Sequence, residues 1–424
     1  MPSAKELDVQ AAFKRIELAR EQGQRLDPSS SHPFPARMPL TLADYLVESL
    51  TSPSDIVLDP MMGSGTTIIA ARKFNRAAIG IDIDPMAVLL SRVAITNFDS
   101  NTLMKAQQRV LERASARLGK RAQLEKQFAN YFSQDEKTFL DYWFHERSQM
   151  ELFALQQSIG EERGKDDRDF LWLVFSSLII AKSAGASYAL DLSHSRPHRN
   201  LDKNIVWPIE GWSSRFNRAL KRLPFLDKSV SPADEPLLLK RGDCRRTRLS
   251  ESSVDFILTS PPYRQAIDYM RTHKFSLVWM GHALSDLTDV RSKMIGTERG
   301  LYERDGIPDQ LEHQIVSRLP SSSHQAVTRR YLSDMQAFLN EAYRVLKPGK
   351  VAIIVIGPSM ISASRYDAAE IVFDLARNAG LTEVSAVRRR LSAARRALPS
   401  PGKAAAGNNL RRRMNSEFLV AVRK

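Results

Sequence analysis

Ser54-Asp-Ile-Val-Leu-Asp59-Pro-Met-Met-Gly63-Ser-Gly65-Thr66-Thr67 is the stretch on which the fold turns. A short apolar run ends on an acid, two glycines follow, and Ile68 to Phe74 continues as a helix-like segment: strand, glycine turn, helix. Ala77 to Ile83 repeats the pattern as a second apolar strand closing on Asp82 and Asp84, with Met86 to Ile95 as its helix. A strand–helix–strand–helix order points to a parallel sheet covered on both faces.

Working outward, the pattern resumes far downstream. Val254 to Leu258 reads as a buried strand, Tyr331 to Leu346 as a long amphipathic helix, and Val351 to Ile356 as another strand, with Leu346-Lys-Pro-Gly349 as helix stop and turn. A helix from Asp367 to Ala379 precedes strands near Val384 to Arg390 and Glu417 to Val422, which a loop joins into an antiparallel pair. Between the two blocks, Asp99 to Asp234 holds helical patterns such as Leu103 to Phe128 and Asp169 to Ala184. The expected fold is therefore α/β, a doubly wound and mostly parallel sheet with a helical insertion and a terminal antiparallel strand pair. The implied division is residues 25–98, a helical insertion 99–234, and a second half 235–424.

Length and composition agree. The chain has 424 residues, 43% hydrophobic and 26% charged, the balance of a globular protein of roughly two or three units. No apolar run reaches about 18 residues, so no membrane span is expected. The single cysteine, Cys244, forms no internal disulfide, and Met1 to Gln22 lacks the apolar stretch of a signal peptide; a reducing cytoplasmic compartment is expected. The formal charge is +14. Much of it falls between Ser385 and Ser416, where Arg388, Arg389, Arg390, Arg395, Arg396, Lys403, Arg411, Arg412 and Arg413 meet no acid. Such a block suits a polyanion, because each neutralised phosphate releases counterions; a solvated tail is the alternative reading.

Two constellations carry chemistry. Glycines after the first strand let backbone approach a ligand closely, which makes a nucleoside site plausible. Ile68 stands where a dinucleotide fingerprint wants its third glycine, and no Gly-Lys-Ser/Thr ends a phosphate loop. Asp82 sits where a doubly wound fold puts a carboxylate on ribose hydroxyls, or else acts as a helix-capping acid. The second constellation is Asp255-Phe-Ile-Leu-Thr259-Ser260-Pro261-Pro262-Tyr263. Successive prolines remove amide donors, hold the chain extended and leave carbonyl oxygens for the cleft. Tyr263 offers a face on which a base can stack, worth about 1 to 3 kcal/mol; a plain strand terminator or a polyproline ligand is the competing reading.

Taken together, these residues resemble the S-adenosylmethionine-dependent amino methyltransferases of DNA, which methylate exocyclic nitrogens of cytosine or adenine. Asp59 to Thr67 is similar to the cofactor loop, Gly80-Ile-Asp82 to the ribose-binding strand end, and Ser260-Pro-Pro-Tyr263 to the catalytic tetrapeptide. His32-Pro-Phe-Pro-Ala-Arg37-Met-Pro39 is similar to the segment near the methionine end, and Arg241-Gly242-Asp243 to the one whose acid meets the adenine amino group. The resemblance covers about half the chain. It implies the methyltransferase-type sheet, S-adenosylmethionine as cofactor and DNA as partner. It also implies cofactor contacts at His32, Arg37, Asp59, Pro60, Met61, Gly63, Ser64, Gly65, Thr66, Thr67, Asp82, Asp84 and Asp243, and catalytic roles for Ser260, Pro261, Pro262 and Tyr263.

An exocyclic amine is a poor nucleophile, because its lone pair is delocalised into the ring. The catalyst must hold it by its protons and aim the lone pair at the methyl group, a task for the Ser260 side chain and the Pro261 carbonyl. A base inside a duplex must be flipped out to reach such a site. Methylation at cytosine carbon 5 needs a thiolate, and Cys244, after Gly242-Asp243, reads instead as a small structural residue. Ser at the head of the tetrapeptide resembles the cytosine-N4 members more than most adenine-N6 members. Adenine-N6 methylation, guanine-N2 methylation of RNA and a non-catalytic binding module are the alternatives. Target reading falls to the insertion 99–234 or to residues 285–330. Asp191 to Arg199 reads as a phosphate-touching or ordinary surface loop, Ile267 to Lys274 as pocket lining or core helix, and residues 392–413 as a DNA-holding loop. No metal-ligand spacing is present.

Overall fold

The structure, a computed structural model, describes residues 9–18, 32, 37–181, 185–190, 197–223, 236–263, 268–297, 306–319, 321–357, 367–391 and 416–424. Helices α1 (Val9–Leu18) and α2 (Leu40–Leu50) precede β1 (Ile56–Asp59), α3 (Thr66–Lys73), β2 (Ala77–Asp82) and α4 (Pro85–Ile95). Then follow α5 (Ser100–Leu118), α6 (Arg121–Tyr131), α7 (Gln134–Trp143), α8 (Glu146–Gly160) and α9 (Lys165–Ile179), the short strands β3 (Ala189–Leu190) and β4 (His198–Arg199), and α10 (Pro208–Leu220). The remainder is β5 (Leu237–Arg241), β6 (Val254–Thr259), α11 (Tyr269–Leu277), α12 (Leu284–Lys293), α13 (Asp309–Gln314), α14 (Ser322–Val345), β7 (Leu346–Ile356), α15 (Ala368–Asn378), β8 (Thr382–Arg390) and β9 (Ser416–Arg423).

Seven strands form one sheet in the order β5-β2-β1-β6-β7-β9-β8. Neighbours from β5 to β7 are parallel, and only β9 runs against the strands beside it. This is the expected doubly wound sheet with its terminal antiparallel pair. Chain order reverses between β1 and β6, which pair through Val57 with Phe256 and Leu58 with Ile257. A crevice opens at the carboxyl ends of strands at such a switch point, and ligands bind there.

The central strands are apolar on both sides because both faces are covered. Val57, Phe256, Leu258, Ile353 and Val355 pack with α2 and α3 on one face; Leu58, Ile257, Ile354 and Ile356 pack with α14 and α15 on the other. The turn expected at Lys347-Pro-Gly349 interrupts β7 rather than preceding it. The pairing jumps from Val254 with Leu346 to Phe256 with Val351, and Gly349 takes φ +76°.

The insertion is helical, but Leu103 to Phe128 is two helices parted at Gly119-Lys120, and α14 starts at Ser322, nine residues before the expected Tyr331. Its core is continuous with the layer beside the sheet: α4 contributes Met86, Leu90 and Val93, and α11 contributes Phe275. Trp279 is fully buried at the centre, its ring 5.5 Å from Phe132 and 5.4 Å from Phe144. Among the described residues no helix is long and apolar enough to cross a membrane. Of the loop read at Asp191 to Arg199, residues 191–196 lie outside the described residues and His198-Arg199 forms the exposed strand β4; residues 392–413 also lie outside the described residues.

Candidate active site

β1 delivers Asp59 to the carboxyl edge of the sheet, and the chain reverses at once. Gly63 and Gly65 take φ +51° and +83°, a left-handed backbone that a β-carbon disfavours. Gly65 is doubly fixed: a β-carbon there would lie 2.8 Å from the Ser91 hydroxyl oxygen. That hydroxyl donates to the Gly63 carbonyl at 3.0 Å. The Gly65 amide donates to Met62 at 2.8 Å, and its carbonyl accepts the Ile69 amide at 2.9 Å, so the turn runs straight into α3.

Two carboxylates stand at the turn. Asp59 is buried; its Oδ1 accepts from Thr259 Oγ1 at 2.7 Å and from the Met61 amide at 3.2 Å, which ties the end of β1 to the end of β6. Burial pushes its pKa up to about 6 against these hydrogen bonds. Asp82, half-buried at the end of β2, accepts the Gly63 amide on Oδ2 and the Asp84 amide on Oδ1, both at 2.9 Å. Burial, and next the neighbouring Asp84, raise it to about 7. Asp84 is itself committed: it caps α4 through the Met86 amide at 2.9 Å and lies 2.5 Å from His273 Nδ1.

A cavity holding about 860 Å³ of open space, part of it the mouth, lies against this edge. Its walls bring together Arg37, Asp59, Pro60, Met61, Gly63, Ser64, Thr66, Asp82, Asp84, Asp243, Ser260 and Pro262 from the residues expected of the site. Gly63 of the glycine turn and Ser260 and Pro262 of the second constellation, about two hundred positions apart in sequence, thus border one hollow. Gly65 and Thr67 act from behind; Thr67 donates to the Leu258 carbonyl at 3.1 Å. Pro261 is buried under the wall.

Besides Gly65, Thr67 and Pro261, two more expected residues lie off the wall, His32 and Tyr263. His32 is buried and sits 2.8 Å from the Ser176 hydroxyl, while its carbonyl accepts from Arg37 at 2.6 Å. Burial, and next His273, hold its imidazole well below the usual range. Tyr263 packs half-buried against the core under α14, and its phenol hydrogen-bonds Ser260. At the far end Arg245 clasps Asp243, with Nε 2.9 Å from Oδ1 and Nη2 2.7 Å from Oδ2, and also reaches Asp334. Burial would raise Asp243, but this clasp holds it below the usual carboxylate range.

Met38, Met62, Ile83, Ala87, Gly242, Cys244, Tyr269, Lys293, Met294 and Ile295 complete the wall. Tyr269 falls in the segment Ile267 to Lys274 read as pocket lining or core helix, whereas Lys293 to Ile295 fall in residues 285–330, read as target-reading and found here on the cavity wall. Burial, and next Asp243, push the Cys244 thiol well up, so it is a protonated, apolar part of the wall and unsuited to thiolate attack. No group of His, Cys, Asp and Glu among the described residues is arranged to hold a metal ion.

A family model described as DNA methylase matches residues 11–92, which span the glycine turn and Asp82. The Type II methyltransferase M.MjaII of Methanocaldococcus jannaschii is 28% identical over 72% of this chain and 72% of its own. The Type II methyltransferase M.MvaI of Kocuria varians is 21% identical over 75% of this chain and 74% of its own. The Type II methyltransferase M.BglI of Bacillus subtilis is 43% identical over a shorter stretch, 15% of this chain and 18% of its own. A switch-point cavity bordered by the glycine turn and by Ser260 and Pro262, together with these relatives, makes the chain similar to the S-adenosylmethionine-dependent DNA amino methyltransferases that act on cytosine N4 or adenine N6.

Proposed function

We propose that this protein methylates the exocyclic N4 of cytosine in duplex DNA at a specific site, using S-adenosylmethionine. The observation that carries the reading is the single cavity walled on one side by Asp59, Gly63 and Asp82 and on the other by Ser260 and Pro262. The residues suit the cofactor. Asp82 is oriented by two backbone amides and keeps acceptor capacity for ribose hydroxyls; Asp243 would meet the purine end; and the acids Asp59, Asp82 and Asp84, when ionised, would give the cavity a negative wall suited to a cation.

When bound, S-adenosylmethionine supplies a methyl group on an electrophilic sulfonium. The chain's own part is positioning. Ser260 Oγ and the Pro261 carbonyl accept the amine protons of a flipped base, turning the lone pair toward the methyl group. Tyr263, held by Ser260 in the free protein, stacks on the ring. The helical insertion and the basic residues 392–413 hold DNA. Ser260 at the head of the tetrapeptide favours cytosine over adenine. The relatives' names, Type II methyltransferases, support a modification role, and the lone cysteine suits the reducing cytoplasm.

Incubation with labelled S-adenosylmethionine and duplex DNA or transfer RNA, followed by mass spectrometry of the nucleosides, tests the proposal. N4-methylcytosine from DNA is expected. N6-methyladenine would reassign the base, and product on RNA alone would overturn the substrate.

A further inference from the structure

Helix α11 starts six residues beyond Tyr263, capped by Asp268, whose carboxylate accepts the Arg271 amide at 3.1 Å. Tyr269 and His273 are one turn apart and share a face. Tyr269 stands on the cavity wall. His273 is fully buried, its Nδ1 2.5 Å from Asp84 Oδ2 and its ring 6.3 Å from that of Tyr269. Asp84 in turn donates its own amide to Asp82 Oδ1, and Asp82 Oδ2 takes the Gly63 amide. One path of hydrogen bonds therefore runs from the glycine turn through both acids into α11. The other side of that helix is anchored in the insertion, where the Phe275 ring lies 5.0 Å from Trp143 and the Ser276 hydroxyl accepts from Ser176 at 2.9 Å. Tyr269, Asp82 and Asp84 line the same wall, and the two acids, after burial, raise the phenol.

We infer that Tyr269 is a further binding residue of this cavity, contacting the nucleoside part of S-adenosylmethionine beside Asp82. His273 is its positioning residue, acting through Asp84. This rests on the cavity being the cofactor site. Asp84 has two tasks, capping α4 and holding α11, and with both side chains buried little solvent reaches either to replace the other. Loss of the His273 hydrogen bond frees α11 to shift and lets Asp84 turn, which disturbs Asp82 from one side and Tyr269 from the other. Leu at position 273 fills the space without a donor, whereas Asn puts an amide nitrogen near the place of Nδ1.

Calorimetric titration of the full chain with S-adenosylmethionine, with melting recorded for each variant, tests the inference. Tyr269→Ala and His273→Leu are each expected to weaken binding about tenfold, and His273→Asn to recover most of the loss. The double variant Tyr269→Ala/His273→Leu is expected to bind no more weakly than the worse single one, since the two act on one contact. Unchanged binding by Tyr269→Ala overturns the inference, and so does His273→Asn binding as weakly as His273→Leu, which would reduce the histidine to packing. Should His273→Leu not fold, Tyr269→Ala and His273→Asn still decide. Failure of the unaltered chain to bind at all would instead bring down the proposed function, and this inference with it.

Discussion

Acidification is expected to weaken cofactor binding by an amount set by Asp82. In the free protein this carboxyl titrates at about 7, because burial and Asp84 oppose its charge. A bound sulfonium and ribose hydroxyls favour the ionised form, so binding must expel the proton that Asp82 holds below pH 7. If only the ionised form binds, the dissociation constant follows one plus ten to the power (7 − pH). It is nearly flat at pH 8 and about 30-fold weaker at pH 5.5, close to 2 kcal/mol. Asp59, at about 6, adds about fourfold more if it too must ionise. Calorimetric titration from pH 5.5 to 8 measures the curve. Asp82→Asn is expected to bind more weakly throughout, since its amide group meets one of the Gly63 and Asp84 amides donor to donor, and to lose most of the slope.

The stability of the free protein should move the other way. A carboxyl raised on folding contributes stability that is fully present below its unfolded value near 3.8 and is lost as pH rises through about 7. Three units would be worth about 4 kcal/mol in full burial; Asp82 is partly exposed to solvent, which lowers this to about 1–3 kcal/mol. Melting of the ligand-free chain should therefore show this contribution shrinking between pH 4 and 7 while cofactor affinity grows. A wild-type affinity independent of pH over 5.5–8 would refute the reasoning, because it would mean that Asp82 is already ionised or not in contact with the ligand.

Gly65→Ala combines a left-handed backbone with a clash against Ser91 and should cost about 2–4 kcal/mol, read as a lower denaturant midpoint. Tyr263→Ala, off the cavity wall in the free protein, should lower methyl transfer at least about tenfold with little change in cofactor affinity, because it removes base stacking alone; equal losses in both would count against that role. Replacing Arg411, Arg412 and Arg413 by Ala should flatten the salt dependence of DNA binding, by up to about 0.9 in logarithmic slope for each phosphate no longer neutralised, measured by titration at several salt concentrations. Trp279→Ala should destabilise the chain by about 3–5 kcal/mol, since it empties the centre of the aromatic cluster.

The interior of the sheet is legible in the sequence because its strands are buried on both faces and end abruptly on an acid and a glycine, a contrast that periodicity detects. β5 gives a weaker signal: it is an edge strand, Leu237 and Leu238 are 43% and 41% exposed, and its short leucine run, though it stops at Lys240-Arg241, shows no alternation. α1 and α2 are silent, as is the division of α5 from α6, where Gly119 closes one helix and a single lysine separates it from the next. The start of α14 is hidden for a related reason. Its first turns, Ser322 to Thr328, are polar, and the helix is announced there only by the Ser321 cap on the His324 amide. Apolar spacing sees a helix where it meets the core, not where it leaves it.

The candidate site divides along the same line. Residues that must sit at a strand end or hold an unusual backbone, such as Asp59, Gly63, Asp82 and Ser260, are tied to local sequence and readable as motifs. Residues that reach the cavity through tertiary packing are not: Met38 enters from the approach to α2, and Lys293, Met294 and Ile295 enter from the end of α12. His32 shows the converse. Its neighbourhood is readable as near the site, yet the imidazole spends its hydrogen bond on Ser176 in the insertion, and what reaches the wall is Arg37, which donates to the His32 carbonyl.

That arrangement bears on how the insertion and the catalytic sheet work together. Ser176 of α9 links on one side to His32 and on the other to Ser276 of α11, and α11 carries His273 to Asp84 on the cavity wall. The insertion is thus fastened to the cavity through two buried polar contacts rather than through apolar packing alone. Apolar packing tolerates sliding by fractions of an ångström, whereas a buried hydrogen bond fails over the same distance. A small displacement of α9, as when the insertion meets a large ligand, would therefore be felt at Asp84 and Tyr269 before it was felt at Asp59, whose bonds to Thr259 and Met61 lie wholly within the sheet and its first turn.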